Sequence, residues 1–438
     1  MAISSARLLT LVVLSATACG DDGSTSPDGG GAGDAQGDGG GGDGSIDAPD
    51  VIHTGGWRTA AHDPTRAGRL EVAGPSASAT LGLVYETPVN DADLGVPVID
   101  EDGNLYTTEY RPGAGYELIS LSAAGALRWH VPIPASFLTQ LSLGPDGKLY
   151  ALDTVPGMGD DARIVVHDTA DGSVLDFSPP IVGHQNFDVN LTVSSDGKVI
   201  LRSNTTNDGY RLRTYRTVDD PSWSAAVGGN GASGFGGYAR SPDGATIVVP
   251  TTSGTGPPFT VRALDAETGT ERWNYPLDAT LLSPVLAVGA DGAVYIAASQ
   301  TTSNLHVIKL SSTGQFAWDH TEATVRTPYR ILVGAQSVVV GAGQLEFGGI
   351  ILTTAGVKQT GTFFSGGNCR PQVIDTNDVA YWACAGNVSA SNPAGDKLHD
   401  WRRTNNEEVG FDMVAGPSGA LYTIFTPQNF KPQIYRVQ

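Results

Sequence analysis

The sequence predicts an all-β protein whose folded part is one closed ring of eight four-stranded units, held behind an export signal and an acidic, Gly-rich tether. Three observations predict it. One pattern recurs from Val96 onward: apolar strand, Asp-Gly turn, second strand, loop, third strand, small turn, aromatic residue. Its first turns fall at Gly103, Gly147, Gly197, Gly244, Gly292 and Gly419, with degenerate copies near Gln336 and Asn377, a period of about 45 residues. Runs such as KLYAL, TIVVP, AVYIAAS and SVVVG are rich in β-formers and lack a 3.6-residue rhythm. With 57 Gly, 26 Pro and only 16% charged residues, the composition suits a turn-rich β protein.

Each unit is read from its punctuation. Asp-Gly between short apolar strands is a strong hairpin signal, because Gly accepts the positive φ such turns require. A 45-residue unit of four strands cannot bury both its faces alone, whereas a ring of them can, which is the logic of a β-propeller blade. Eight first turns give eight blades; seven is the competing count, because the sixth unit has lost its Asp-Gly pair. The last unit offers three strands, FDMVA, ALYTI and PQIYRV. A fourth, Leu81–Thr87 (LGLVYET), stands before the first unit with Tyr85 in the aromatic position. Pairing the two ends closes the ring and removes an open edge.

The N-terminus supplies an address. Met1–Arg7 is a short basic lead, and Leu8–Ala18 is eleven largely apolar residues, too short to span a bilayer but suited to a signal peptide. Two processing readings compete: cleavage after Ala18 leaving a free thiol, or a lipobox Ala16-Thr17-Ala18-Cys19 in which Cys19 is lipidated. The polar tract immediately after the cysteine points to the lipobox. The expected organisation is a signal peptide over 1–18, the lipidated Cys19 with a linker over 19–56, and the propeller over 57–438. Residues 20–50 carry eight Asp and no Lys or Arg, with almost nothing apolar to bury, so they are expected to be disordered. Such a tether spans roughly 30 Å root-mean-square and about 100 Å when extended. Gly20 follows Cys19 and displaces acidic residues to Asp21 and Asp22, which favours the outer over the inner membrane.

Charge narrows the partners. The net charge is -20, and the body after residue 50 keeps 25 basic against 38 acidic side chains. Such a surface repels phosphate backbones and anionic lipid headgroups, so no nucleic-acid partner is expected and the membrane is reached through the lipid alone.

Three cysteines leave one surplus to a pair. In CRPQVIDTNDVAYWAC, a two-residue turn at Thr376-Asn377 sets Ile374 opposite Val379 and Val373 opposite Ala380. Continuing that register sets Cys369 opposite Cys384, at a separation that suits a disulfide in an exported protein.

The stretch Ala263–Trp273 (ALDAETGTERW) reproduces an A-x-D-x-x-T-G-x-x-x-W pattern, and shortened forms end at Gly125…Trp129 and Gly314…Trp318. With the segment Trp57–Gly68, these residues resemble the quinoprotein-like propeller superfamily over roughly residues 57–438. In that pattern Asp265 and Thr268 organise a tight turn, Gly269 completes it, and Trp273 is a plate between blades. The resemblance implies one of two branches. One is the pyrroloquinoline-quinone alcohol and sugar dehydrogenases, which hold the quinone with Ca²⁺ on the axis. The other is non-enzymatic, typified by the lipoprotein propeller of the outer-membrane β-barrel assembly machinery. The chain lacks the adjacent Cys-Cys of the eight-bladed dehydrogenase type and every inter-turn spacing lies between 41 and 50 residues, which favours the second branch.

Catalytic motifs point nowhere else. Gly229–Gly234 satisfies G-x-G-x-x-G but precedes a strand, so it fails as a dinucleotide loop. Asp100–Gly103 has a calcium-loop flavour, yet Arg111 stands where a twelfth-position Glu is needed. The eight His are scattered singly, so no metal is expected. Asn190, Arg240, Arg330, Arg370 and Asp412 recur near first-strand starts, where they are expected to face the axial channel and offer contacts to a small anion or a partner loop. The expected function is a monomeric, cofactor-free binding scaffold for envelope proteins. A quinone-dependent oxidoreductase and a surface polysaccharide binder or adhesin are the alternatives.

Overall fold

The computed structural model describes residues 68–134, 140–155, 161–228, 237–254, 257–300, 304–323, 327–343, 347–360, 369–384, 386–402, 412–425 and 431–438. Cys19, the tether, Trp57 and the Gly229–Gly234 loop lie outside them. Among the described residues there is no helix. Strands form eight antiparallel sheets over 93–133, 142–177, 184–228, 239–276, 281–323, 327–353, 369–402 and 412–437, hereafter blades 1 to 8. First strands of neighbouring blades touch at most boundaries of the ring and so line its axis.

The ends close the ring as a hydrogen-bonded seam. Leu81–Glu86 pairs antiparallel with Gln433–Val437 as the outermost strand of blade 8. Thr80 N donates to Gln438 O at 3.0 Å, and Thr87 N donates to Pro432 O at 3.0 Å. Before reaching that strand, the chain passes the axis. Gly68–Leu70 lies parallel to the innermost strand of blade 7, Cys369–Ile374, with Ile374 N donating to Gly68 O and Leu70 N to Ile374 O. Leu70 is buried with Leu94 and Ile99 of blade 1 and Met413 of blade 8.

Six blades place Gly at positive φ after the first strand, as the Asp-Gly signals require. Blade 7 uses Asp378 instead, at φ 60°. This corrects the predicted hairpin. The turn is the four-residue Asp375–Asp378, closed by Asp378 N to Asp375 O and Asp375 N to Val379 O. Ile374 therefore opposes Ala380, not Val379, and Val373 opposes Tyr381. A bulge at Gln372 restores the count, so Cys369 still opposes Cys384 and the two form a disulfide with Cα atoms 4.0 Å apart. Blade 6 has a tight turn at Gly334–Ser337, with Gly334 N donating to Ser337 O at 2.8 Å. Its two exposed donors, Ala335 N and Gln336 N, are captured at 2.7 Å by the Asp378 carboxylate of blade 7.

Neighbouring blades lock by a repeated contact. The indole N–H of Trp129, Trp223, Trp273 and Trp318 donates to a carbonyl of the next blade, respectively Thr169, Ala266, Ser312 and Thr354, at 3.0–3.1 Å. Each ring lies where the next blade's turn glycine (Gly172, Gly269, Gly314 or Gly356) leaves room that a Cβ would fill. In the full motif Asp265 accepts from the N–H groups of Glu267 and Thr268, the Thr268 hydroxyl and Arg272. At the closing seam the pattern lapses: blade 8 has no turn between its outer strands, and the buried Trp401 N–H finds no partner among the described residues.

Candidate functional site

The predicted axial residues separate into two groups. Asn190, Arg330, Arg370 and Asp412 stand at one level of the first strands, opposite Arg202, Gly341, Ala383 and Ile424 of their second strands. The Gln372 bulge is what brings Arg370 to the level of the others. Arg240 is a correction. It adjoins the turn of blade 4, is only 4% exposed, and clamps Asp196 of blade 3 through two hydrogen bonds of 2.8 Å. A further bond runs from its Nε to Gly244 O. Burial works to raise the Asp196 carboxyl, but hydrogen bonds from Arg240 and Ser194 and the charges of Arg240 and Lys198 hold it well below the usual range. Arg240 is thus a structural tie between blades, not a ligand contact.

Arg330, Arg370 and Asp412 come together on consecutive blades 6, 7 and 8. Arg330 donates to the backbone carbonyl of Gln372 at 3.3 Å and to its side-chain Oε1. The Arg370 guanidinium lies 5.4 Å from the centre of the Tyr329 ring. Burial lowers the pKa of both guanidiniums, and the Asp412 charge opposes that for each. Asn190 lies away from this group, on blade 3, half-buried opposite the buried Arg202. The axial level is therefore charged on one side, where two guanidiniums face one carboxylate.

A second feature had no sequence candidate. Between blades 2 and 3 the tryptophan lock is missing. Asp176, opposite Val166 and through it Tyr150, stands where Trp129 stands in blade 1, while Phe177 is 53% exposed and lies 4.6 Å from Arg163 on the other face of its blade. The corresponding turn of blade 3, Thr217–Asp220, carries no glycine to receive a tryptophan. A groove of about 470 Å³ opens there, walled by Pro179, Pro180, Ile181 and Val182 on one side and by Arg213 and Tyr215 on the other. The available signal was the mismatch itself: no Trp in the fourth strand of blade 2, and a following turn without Gly.

A family model described as outer membrane protein assembly factor BamB matches residues 216–368. Among solved structures, the quinohemoprotein alcohol dehydrogenase from Comamonas testosteroni is similar with TM-score 0.56 and 14% identity, over 89% of this chain and 81% of that one. The fold is an eight-bladed β-propeller similar to that of the dehydrogenase. BamB from Moraxella catarrhalis is similar at TM-score 0.42 and 14% identity, over 84% of this chain and 96% of that one. No curated protein matches the sequence. The likeness fixes the fold, and the chemistry of the propeller's axis must be judged on its own residues.

That chemistry does not fit a quinone held with Ca²⁺. Ca²⁺ asks for six to eight oxygen ligands with carboxylates among them. The charged axial trio offers one carboxylate, Asp412, against the guanidiniums of Arg330 and Arg370, which repel a divalent cation. Among the described residues no three His, Cys, Asp or Glu side chains cluster as metal ligands.

Proposed function

We propose that the protein is a lipid-anchored, non-catalytic binding scaffold of the bacterial cell envelope, working as a monomer without a cofactor. The observation that carries this reading is the use made of the axis. Where a quinoprotein enzyme does its chemistry, this propeller spends its residues on holding blades together. Gly68–Leu70 lies against blade 7 and buries Leu70 among first strands of blades 7, 8 and 1. Arg330 is engaged with Gln372 across the blade 6–7 boundary. The family match over residues 216–368 supports an envelope role, and the Cys19 lipobox supports anchoring, in the outer membrane by the residues that follow it.

Arg370 and Asp412 with Asn190, at one level of the first strands, are the contacts proposed for a partner loop or small anion. The test is direct. The purified chain is mixed with pyrroloquinoline quinone and Ca²⁺ and assayed for dye reduction with alcohols and sugars. No turnover is expected; quinone-dependent dye reduction would overturn the scaffold reading. Affinity capture from detergent-solubilised envelopes is expected to return a defined protein partner, and capture of polysaccharide alone would replace the scaffold reading with that of a surface glycan binder.

A further inference from the structure

We infer that the groove at the unlocked seam between blades 2 and 3 is a binding site for a neutral saccharide. The inference goes beyond the scaffold reading and does not depend on it.

The groove has two walls of different chemistry. The link from blade 2 to blade 3 supplies the first, where Pro179, Pro180 and Val182 are exposed, Val182 at 64%. The prolines bring apolar surface but no N–H, so a strand added here would find no donor at either of them. Blade 3 supplies the second wall, which is polar. Asp208 stands in the turn that leads into its third strand, Gly209–Thr217, and Arg213 and Tyr215 follow on that strand.

The fold does not use up these polar groups. Tyr215 is only 6% exposed, yet its hydroxyl makes no hydrogen bond among the described residues and is not sealed from solvent. An otherwise buried ring therefore leaves its polar tip in the groove. Arg213 gives one N–H to the Ser203 hydroxyl at 2.5 Å. At Asp208 it is the backbone N–H that is engaged, with the Thr205 hydroxyl at 3.3 Å, and the carboxylate accepts from no group among the described residues. Arg213 and Asp208 feel each other's charge without closing to an ion pair. A guanidinium only donates and a carboxylate only accepts, so the gap between them suits a group that does both, as a hydroxyl does.

The balance of charge and polarity selects the occupant. The lining carries one cation and one anion, so an anionic ligand meets Asp208 and a cationic one meets Arg213. Beside the lining the balance repeats: Arg211 donates to the Ser224 hydroxyl at 2.7 Å, and Asp176 is exposed on the outer strand of blade 2. A wholly apolar occupant would take the Tyr215 hydroxyl, Arg213 and Asp208 out of water and return no hydrogen bond. A pyranose ring answers both walls. Its C–H face packs on the prolines and Val182 by dispersion, while its hydroxyls donate to Asp208 and accept from Arg213 and Tyr215. The groove of about 470 Å³ lies within the range of roughly 300–1,000 Å³ typical of small-ligand sites.

The test is isothermal titration calorimetry of the full mature chain with cellotriose, maltotriose and tri-N-acetylchitotriose. Trigalacturonate and chitotriose are the acidic and basic counterparts. At least one neutral trimer is expected to saturate in about the millimolar range, with both charged trimers weaker. Tyr215→Phe, which removes only the hydroxyl, and Asp208→Ala are each expected to weaken that binding about tenfold with unchanged thermal unfolding. Co-sedimentation with the insoluble polymers cellulose and chitin distinguishes a surface glycan from a free sugar as the source. The assignment is overturned by absence of saturable binding to every neutral trimer, by tighter binding of a charged one, or by indifference to both substitutions. Saturable binding of a neutral Gly/Ser decapeptide in place of the sugars would also overturn it, since the occupant would then be a peptide. All of these outcomes leave the scaffold reading standing, because that reading falls on quinone-dependent turnover or on capture of polysaccharide alone.

Discussion

Asp153 is placed so that its charge works against the fold, and replacing it with Asn should stabilise the protein at neutral pH. It lies in the second strand of blade 2, Leu149–Thr154, directly opposite Arg163. Leu149 and Ala151, four and two residues before it, pack into the seam with blade 1, and period-two alternation turns Asp153 the same way. It is 2% exposed, and its Oδ1 has no hydrogen-bond partner among the described residues. Burial raises its pKa from 3.8 to about 6, with the Arg163 charge pulling back only in part. A raised folded pKa means a contribution fully present below the unfolded value and lost as pH rises through the folded one. The native state therefore loses stability between about pH 4 and pH 6, by up to about 3 kcal/mol at 1.36 kcal/mol per pKa unit. Asp153→Asn keeps the shape and removes the titration. Urea unfolding at pH 4, 5, 6 and 7 should show variant and wild type nearly equal at pH 4. At pH 7 the variant should gain, with its midpoint about 1 M higher for a slope near 3 kcal/mol per M. A variant less stable than wild type at pH 7, or a gain that does not change with pH, would refute the reasoning.

Four other outcomes are expected. Gly269→Ala puts a Cβ 2.6 Å from the Trp223 ring at a backbone φ of +70° and should cost about 2–4 kcal/mol with a shifted tryptophan emission. Gly254→Ala, with nothing within 4 Å, is its control, and equal stability of the two variants would contradict the docking account. Cys384→Ala should cost about 3 kcal/mol by loop-closure entropy; a free, alkylatable Cys384 in a non-reduced digest would remove the basis for that loss. Deleting residues 20–50 should leave a stable monomer, while extending the deletion through Thr87 strips the outer strand from blade 8 and should give association in sedimentation. A cooperative monomer from the longer deletion contradicts closure by Leu81–Glu86. Cys19→Ser should leave the chain unprocessed or soluble in fractionation, and normal membrane-bound maturation would sink the lipobox reading.

The ring was legible because its signals are local and repeated. Positive-φ turns, β-branched runs and one aromatic per unit are each written within a few consecutive residues, and the orphan Leu81–Thr87 strand was identifiable from the short count in blade 8. Blade 6 was faint for a physical reason: the groups that cap its turn come from Asp378, more than forty residues away in the next blade. The Cys369–Cys384 pairing followed from a register whose turn was one residue too short, and it held because the Gln372 bulge offsets that residue.

What only the tertiary structure decided concerns contacts between blades. Arg240 reads like its neighbours in sequence, but its partner Asp196 sits in the preceding blade and removes it from the axis. Arg330, Arg370 and Asp412 look equally scattered, yet closure of the ring brings their charges within reach of one another. The open seam between blades 2 and 3 could not be read from either blade alone, since it is a missing interaction between them. Backbone preference and hydrophobic alternation act within a strand or a turn, so the amino-acid order determined the blades and their number. Burial, charge pairing and the gaps between blades depend on which surfaces meet when the ring closes, and that is set only by packing.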